Sequence, residues 1–212
     1  MAQNSEYSAS AEAMLEVAVK NDAADRDALM AAKNAEGRTV EEMVTEKSGQ
    51  TGEKIELAYY GRIEAPYCAA YVHFNKKLGT ILGFNKEIPA EVAHTVTMQA
   101  TAMAPVSISE ADCPAEVVEH ERKILREQAM NEPKPKPANI IEKMVEGRIA
   151  KYYKEVCLLE QPFVKNPDQS IEQMLKEHGD VELVAFVRFE MGEGLQKRQD
   201  NFAEEVMGQM KK

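Results

Sequence analysis

Three prolines in five residues, Pro133-Lys-Pro-Lys-Pro137, separate two helix-patterned runs and constrain this chain more than any other feature in it. Proline removes a backbone donor and disfavours helix for the residue before it, so this segment reads as a reversal. Upstream, Ala115 to Asn131 carries Val117, Val118, Ile124 and Leu125 among Glu116, Glu119, Glu121, Arg122, Lys123 and Arg126. Downstream, Ile141, Val145, Ile149 and Tyr152 recur at steps of three and four, while Glu142, Lys143, Glu146, Lys151 and Lys154 fall elsewhere. Both patterns predict helices with one apolar stripe. So short a connection lets the stripes bury each other only if the helices fold back into an antiparallel hairpin. The alternative is two ordinary surface helices on a globular core, and the two readings differ in whether the hairpin tip projects into solvent.

The remaining elements follow from local signals. Ala11 to Lys33 has helical spacing (Met14, Leu15, Val17, Ala18, then Leu29 and Met30), broken at Asn21-Asp22, with Asp22 or Asp25 capping the second piece. Thr39 precedes Val40-Glu-Glu-Met-Val44, which predicts an N-cap with Glu42 at the box position, and Ser48 to Gly52 stops that helix. Lys54 to Ile63 alternates through Ile55, Leu57 and Tyr59 and reads as a half-buried strand. Tyr67 to Phe74 and Leu78 to Phe84, joined by Asn75-Lys-Lys77, give the strongest hairpin signal. Pro89 opens a helix that runs to about Ala104, whose face of Val92, Val96, Gln99 and Met103 is expected to cover the sheet. Ser170 caps Ile171 to His178, Gly179 ends it, Val181 to Met191 is a strand, and Gly192-Glu-Gly194 leads into a last helix, Leu195 to Met210.

Strands followed by covering helices, without regular alternation, predict an α+β fold of antiparallel sheets covered by helices, with the helical hairpin projecting. The organisation expected is an N-terminal subdomain over residues 1–64, a second subdomain over 65–114 and 154–191, an inserted hairpin over 115–153, and a terminal helical module over 192–212.

Composition narrows what such a chain can do. At 212 residues and 44% hydrophobic content it can bury a substantial core, and its 12 methionines with no tryptophan suit an adaptable one. A net charge of -10 argues against a surface that tracks nucleic-acid phosphates. Cys68, Cys113 and Cys157 are widely spaced and form no CxxC pair, which fits a reducing compartment and neither a disulfide framework nor a zinc knuckle. The N-terminus lacks a basic start followed by an apolar run, and no segment reaches the ~20 apolar residues a membrane span needs. A cytoplasmic protein is expected.

Catalytic motifs are missing as well. His73, His94, His120 and His178 pair with no other ligand at metal spacing, and there is neither a GxSxG elbow nor a glycine-rich phosphate loop. An enzyme built on Cys157 or His73 has no supporting motif. Neither a metal nor a cofactor is expected. What remains is an acidic body with two patterned features, the helical hairpin and the terminal helix, both shaped for gripping another protein. On periodicity alone, packing against their own core is the preferred reading.

Several blocks nevertheless look familiar. Lys136-Pro-Ala-Asn-Ile-Ile-Glu-Lys-Met-Val-Glu-Gly-Arg148 is followed by Glu155-Val-Cys-Leu-Leu-Glu-Gln-Pro-Phe163, and Phe186-Val-Arg-Phe-Glu-Met-Gly-Glu-Gly-Leu-Gln-Lys197 by Asp200-Asn-Phe-Ala-Glu-Glu-Val206. With Thr51-Gly-Glu-Lys-Ile55 and Met98-Gln-Ala-Thr-Ala-Met-Ala-Pro105, they resemble bacterial elongation factor Ts, in the family's order, from about residue 38 to the C-terminus. The resemblance implies a guanine nucleotide exchange factor that binds the GTPase elongation factor Tu and promotes GDP release, without covalent chemistry. It implies partner contacts at Gly52, at His73 on the strand hairpin, at Phe163 and Val164, and at Phe202 and Val206 in the terminal helix.

Departures from the family's pattern carry their own expectations. Members normally begin with a small three-helix domain, two strands and the motif Thr-Asp-Phe-Val-Ala-Lys-Asn, whose Asp-Phe acts near the GTPase's magnesium site. Val17-Ala-Val-Lys-Asn-Asp22 has a superficial likeness to that motif but lacks the Asp-Phe, and its position suits the following helix. Thr51 replaces the apolar residue that usually precedes Gly52. The expectation is a form shortened at its N-terminus, in which the strand at Lys54 to Ile63 lacks neighbours and is free to pair with a second copy as a homodimer. The alternative function is a module of the same family that binds elongation factor Tu or dimerises, without efficient exchange.

Overall fold

The computed structural model describes residues 5–133 and 136–194. Its elements are α1 (Ser5–Lys20), α2 (Arg26–Ala31), α3 (Val40–Thr51), β1 (Tyr67–Val72), β2 (Leu78–Phe84), α4 (Ala90–Met103), α5 (Ala115–Met130) and α6 (Ala138–Val156). A 3-10 turn at Leu158–Glu160, β3 (Pro162–Phe163), β4 (Asn166–Ser170), α7 (Ile171–Glu177) and β5 (Leu183–Glu190) complete them. The fold is α+β, with an antiparallel sheet in the order β1-β2-β5 and a two-stranded β3-β4 ladder. The terminal helix expected over Leu195 to Met210, with Phe202 and Val206, lies outside the described residues, as do Lys134 and Pro135 of the reversal.

Three apolar clusters hold these elements. The first lies between the sheet and α4, where Leu82, Phe84 and Leu183 meet Ala93, Val96 and Ala100, and Leu158, Phe163, Ile171 and Leu175 close it. Full burial of an aliphatic or aromatic side chain stabilises by roughly 1.5–3 kcal/mol, so this cluster dominates the stability of the sheet layer. Of the face expected on α4, Val96 and Gln99 are buried, but Met103 is 54% exposed. The helix ends there, with Ala104 in the left-handed conformation at φ 48°, so Met103 lies past the cover that the sheet provides.

The second cluster joins α1, α2 and α3 through Val17, Ala18, Ala23, Leu29, Val40 and Val44. Its local signals are all realised. Asp25 accepts from the Ala28 N–H at 2.8 Å, and the Thr39 and Glu42 side chains satisfy each other's backbone N–H groups at 3.2 and 2.7 Å. The break between α1 and α2 falls where expected, with Asp22 at φ 50°.

Residues 54–63 correct the sequence reading. They belong to no strand or helix. Ile55 and Leu57 pack on the second cluster as expected, but Tyr59 is 59% exposed and Tyr60 packs in its place, while backbone groups of Ile55 and Leu57 are taken by side chains. The Ile55 N–H donates to Ser48 Oγ at 3.0 Å, and the Leu57 carbonyl accepts from Arg26 Nε at 2.6 Å. The chain then crosses the sheet face opposite α4, where Gly83 lies under Ile63 and Ala65, and Gly61 lies under Val187. With no strand at 54–63, the expected pairing of that edge with a second copy loses its basis.

The third cluster, Cys113, Val118, Val145, Ile149 and Cys157 with partly buried Leu125, Ile141 and Tyr153, lies between α5 and α6. The stripe on α6 follows the expected spacing as far as Ile149, after which Tyr153 continues it in place of Tyr152. Charged side chains flank the seam. Arg122 pairs with Glu146, and Arg126 makes a two-pronged contact with Glu142 at 2.8 and 2.9 Å. Four residues forward on α5 thus meets four residues back on α6, so the two helices run antiparallel. Glu132 beyond α5 also meets Arg148 at 2.8 Å.

Candidate partner-binding surface

The β1-β2 turn is built by its own residues. The His73 N–H donates to the Leu78 carbonyl at 2.9 Å and the Lys76 N–H to the His73 carbonyl at 2.8 Å, with Lys76 at φ 54°. Asn75 Oδ1 accepts from the Lys77 N–H at 2.9 Å, the kind of local bond that makes Asn a turn residue. The His73 ring is thereby held half-buried, with Nδ1 3.0 Å from the Tyr71 hydroxyl, and Tyr71 packs edge-on against His94 at 5.4 Å. Phe74 lies 4.4 Å from His73, ring centre to ring centre, and is 88% exposed.

Phe163 and Val164 approach the same region from the other half of the chain. Phe163 is anchored in the first cluster, which turns Val164 outward, 58% exposed. Tyr71, His73, Leu78, Met98, Met103 and Val164 line a largely apolar cleft of about 310 Å³. Exposed Val72 and Phe74 flank His73 in sequence, so the aliphatic and aromatic surface on this hairpin exceeds what the cleft alone presents.

Two of the residues singled out from sequence, His73 and Val164, therefore meet in one cleft, and Phe163 lies beneath it. Gly52 does not join them. It caps α3 at φ 69°, its N–H 3.0 Å from the Ser48 carbonyl, and a Cβ added there meets nothing within 4 Å. Phe202 and Val206 fall outside the described residues. Sequence reasoning missed Phe74, Met103 and Val72 as surface groups. Phe74 carried a usable signal, an aromatic at a polar turn beside Asn75-Lys-Lys77.

Two of the three cysteines, Cys113 and Cys157, are placed for packing. Cys157 is fully buried, 3.3 Å from Ser107 Oγ, and burial pushes its thiol pKa up, away from the thiolate that nucleophilic chemistry needs. Cys113 is buried and Cys68 exposed. Among the described residues no group of three or more His, Cys, Asp or Glu could hold a metal ion, and no helix is long and apolar enough to cross a membrane.

Residues 1–193 match the family model described as Elongation factor TS. The chain is also 40% identical to Elongation factor Ts of Clostridioides difficile (strain 630), in an alignment that covers 92% of this chain and 67% of the relative. The chain belongs to the elongation factor Ts family. That membership makes it a translation elongation factor, and it turns attention from catalytic groups to the apolar cleft as the surface to explain. In Val17-Ala-Val-Lys-Asn-Asp22, the stretch with a superficial likeness to the family motif, Val17 to Lys20 are helical, and Val17 and Ala18 are buried in the second cluster.

Proposed function

We propose that this chain binds elongation factor Tu in the cytoplasm and promotes release of its GDP. The observation that carries this reading is the meeting of His73 and Val164, both expected from the family resemblance to touch the partner, in one exposed apolar cleft. A factor of this kind acts by holding one conformation. It binds the nucleotide-free GTPase more tightly than the GDP-loaded form, and linkage then requires that it weaken GDP by the same factor.

The remaining assignments follow from this reading. The α5-α6 pair projects as an arm, Gly52 supplies a separate contact on the N-terminal subdomain of residues 1–64, and Phe202 and Val206 add a third from the 192–212 module. The core subdomain of residues 65–114 and 154–191 carries the cleft. A second reading is binding without efficient exchange. It is favoured by the Val17-Ala-Val-Lys-Asn-Asp22 stretch, which lacks the Asp-Phe of the family motif and lies partly in the core through Val17 and Ala18.

Two measurements separate the readings. Titration of the chain against nucleotide-free and GDP-loaded elongation factor Tu is expected to give tighter binding to the empty form, and equal affinities would sink both readings. Release of a fluorescent GDP on adding the chain then decides between them. Strong acceleration supports exchange and removes the second reading, whereas preferential binding with little acceleration supports the second. His73→Ala and Val164→Ala are each expected to weaken binding without lowering the melting temperature appreciably.

A further inference from the structure

Val164 owes its position to a side chain from α4. Gln99 is 3% exposed, and both ends of its amide are committed to the β3 segment. Its Oε1 accepts from the Val164 N–H at 2.9 Å, and its Nε2 donates to the Pro162 carbonyl at 3.0 Å. These two bonds straddle Phe163. They form the pattern that a residue on a parallel strand makes with the peptide groups on either side of its neighbour. The β3-β4 ladder shifts register between Pro162 and Phe163, so the regular ladder is interrupted where the side-chain amide takes over.

Gln161 backs the arrangement. It is fully buried, donates through Nε2 to the Glu155 carbonyl at 2.9 Å, and accepts at its own carbonyl from the Ile171 N–H at 3.0 Å. Its Oε1 lies 3.4 Å from Gln99 Nε2, on the side away from solvent. A buried amide with all its groups paired is rigid, because any rotation strands polar atoms in an apolar interior.

We propose that Gln99 is a positioning residue for partner binding: it acts as a one-residue surrogate strand that pins Phe163 inward and holds Val164 out into the cleft. The inference rests on the partner-surface reading above and adds to it a residue that borders the cleft but, at 3% exposure, acts through Val164 rather than by its own surface. Only an amide serves, since the site needs a donor and an acceptor on one planar group. A carboxylate keeps the acceptor and loses the donor, and a thioether of the same length loses the donor and keeps only a weak acceptor.

The test begins with the unaltered protein, in which Val164, although exposed at its side chain, is expected to have a backbone amide protected from hydrogen exchange. Exchange at the rate of an unstructured peptide would overturn the clamp with no variant needed. In Gln99→Met the Val164 amide is expected to exchange about tenfold faster, the factor carried by one hydrogen bond of ordinary net strength, with Val96 on α4 unchanged. Affinity for nucleotide-free elongation factor Tu is expected to fall by a similar factor. Gln99→Leu, which removes both the acceptor for the Val164 N–H and the donor to the Pro162 carbonyl, is expected to behave in the same direction and serves if the methionine variant does not fold.

Combining Gln99→Met with Val164→Ala is expected to lower affinity no further than the more damaging single change, because both act through one side chain. Fully additive losses would overturn the positioning role. Unchanged affinity in Val164→Ala alone, with the exchange result as expected, would instead overturn the partner-surface reading and with it the binding part of this proposal. The two failures are therefore distinguishable.

Discussion

Truncating Ile149 to alanine tests whether the seam between α5 and α6 is a cooperative unit of its own. Ile149 is 3% exposed and sits beside Val145, Val118 and Cys157 in the third cluster. The change removes three carbons from an almost fully buried position, which at about 0.8 kcal/mol each forfeits roughly 2.4 kcal/mol of transfer free energy. A cavity adds to this, and comparable truncations span about 2–5 kcal/mol according to how far the site collapses. The cluster has only five buried members, and Leu125 and Tyr153 at its margin are free to close in, so the expected loss is about 3 kcal/mol. Because this core is separate from the one between the sheet and α4, the loss should be local. Hydrogen exchange is expected to accelerate in α5 and α6, while Val96 and the strands of the main sheet keep their protection. A loss below about 1 kcal/mol would refute the packing argument. Uniform acceleration across α4 and the sheet would refute the independence of the two cores.

Two further expectations concern other parts of the molecule. A Cβ at Gly83 would lie 2.7 Å from Ile63 Cγ2 and 3.0 Å from the Ala65 methyl, so Gly83→Ala is expected to lift the 63–65 segment off the sheet and destabilise by about 1–3 kcal/mol in urea unfolding. An unaffected midpoint would mean that the segment does not bear on the sheet. Burial, followed by the charges of Glu110 and Glu172, raises the Glu160 pKa above its ordinary 4.5. The folded protein therefore favours the protonated form. Glu160 weakens the fold relative to a neutral side chain as pH rises through its folded pKa, and this effect is absent below the unfolded value. Glu160→Gln is accordingly expected to raise the melting temperature at pH 7 and to leave it unchanged near pH 3. An equal shift at both pH values would show that charge is not the cause.

What could be read from the sequence was what neighbouring residues decide among themselves. Asp25, Thr39 with Glu42, and Ser170 with Gln173 all cap the helices they precede, because a cap needs only a side chain and an N–H two or three residues on. The hairpin Tyr67 to Phe84 and the stripes on α5 and α6 were equally local. The family itself was legible in blocks such as Glu155 to Phe163.

Pairing across the chain was not legible, and residues 54–63 show why. Their alternation foretold that Ile55 and Leu57 turn inward but also placed Tyr59 there, which is 59% exposed while Tyr60 packs instead; alternation reports burial, whereas a strand requires a neighbour whose backbone is free. Here Ser48 and Arg26 claimed those backbone groups first. Even one local pairing escaped: Asn166–Ser170 has no β pattern yet forms β4, because the chain turns back at residues 164–165 and sets it beside Pro162–Phe163. The cleft is the clearest case. The bond from Val164 to Gln99 spans 65 residues, and no local rule makes a glutamine on a helix the missing neighbour of a strand. Composition and periodicity determined the elements and their inward faces through short-range chemistry. Which backbone groups found partners, and so which side chains were left facing outward, was decided only when distant segments competed for the same interior.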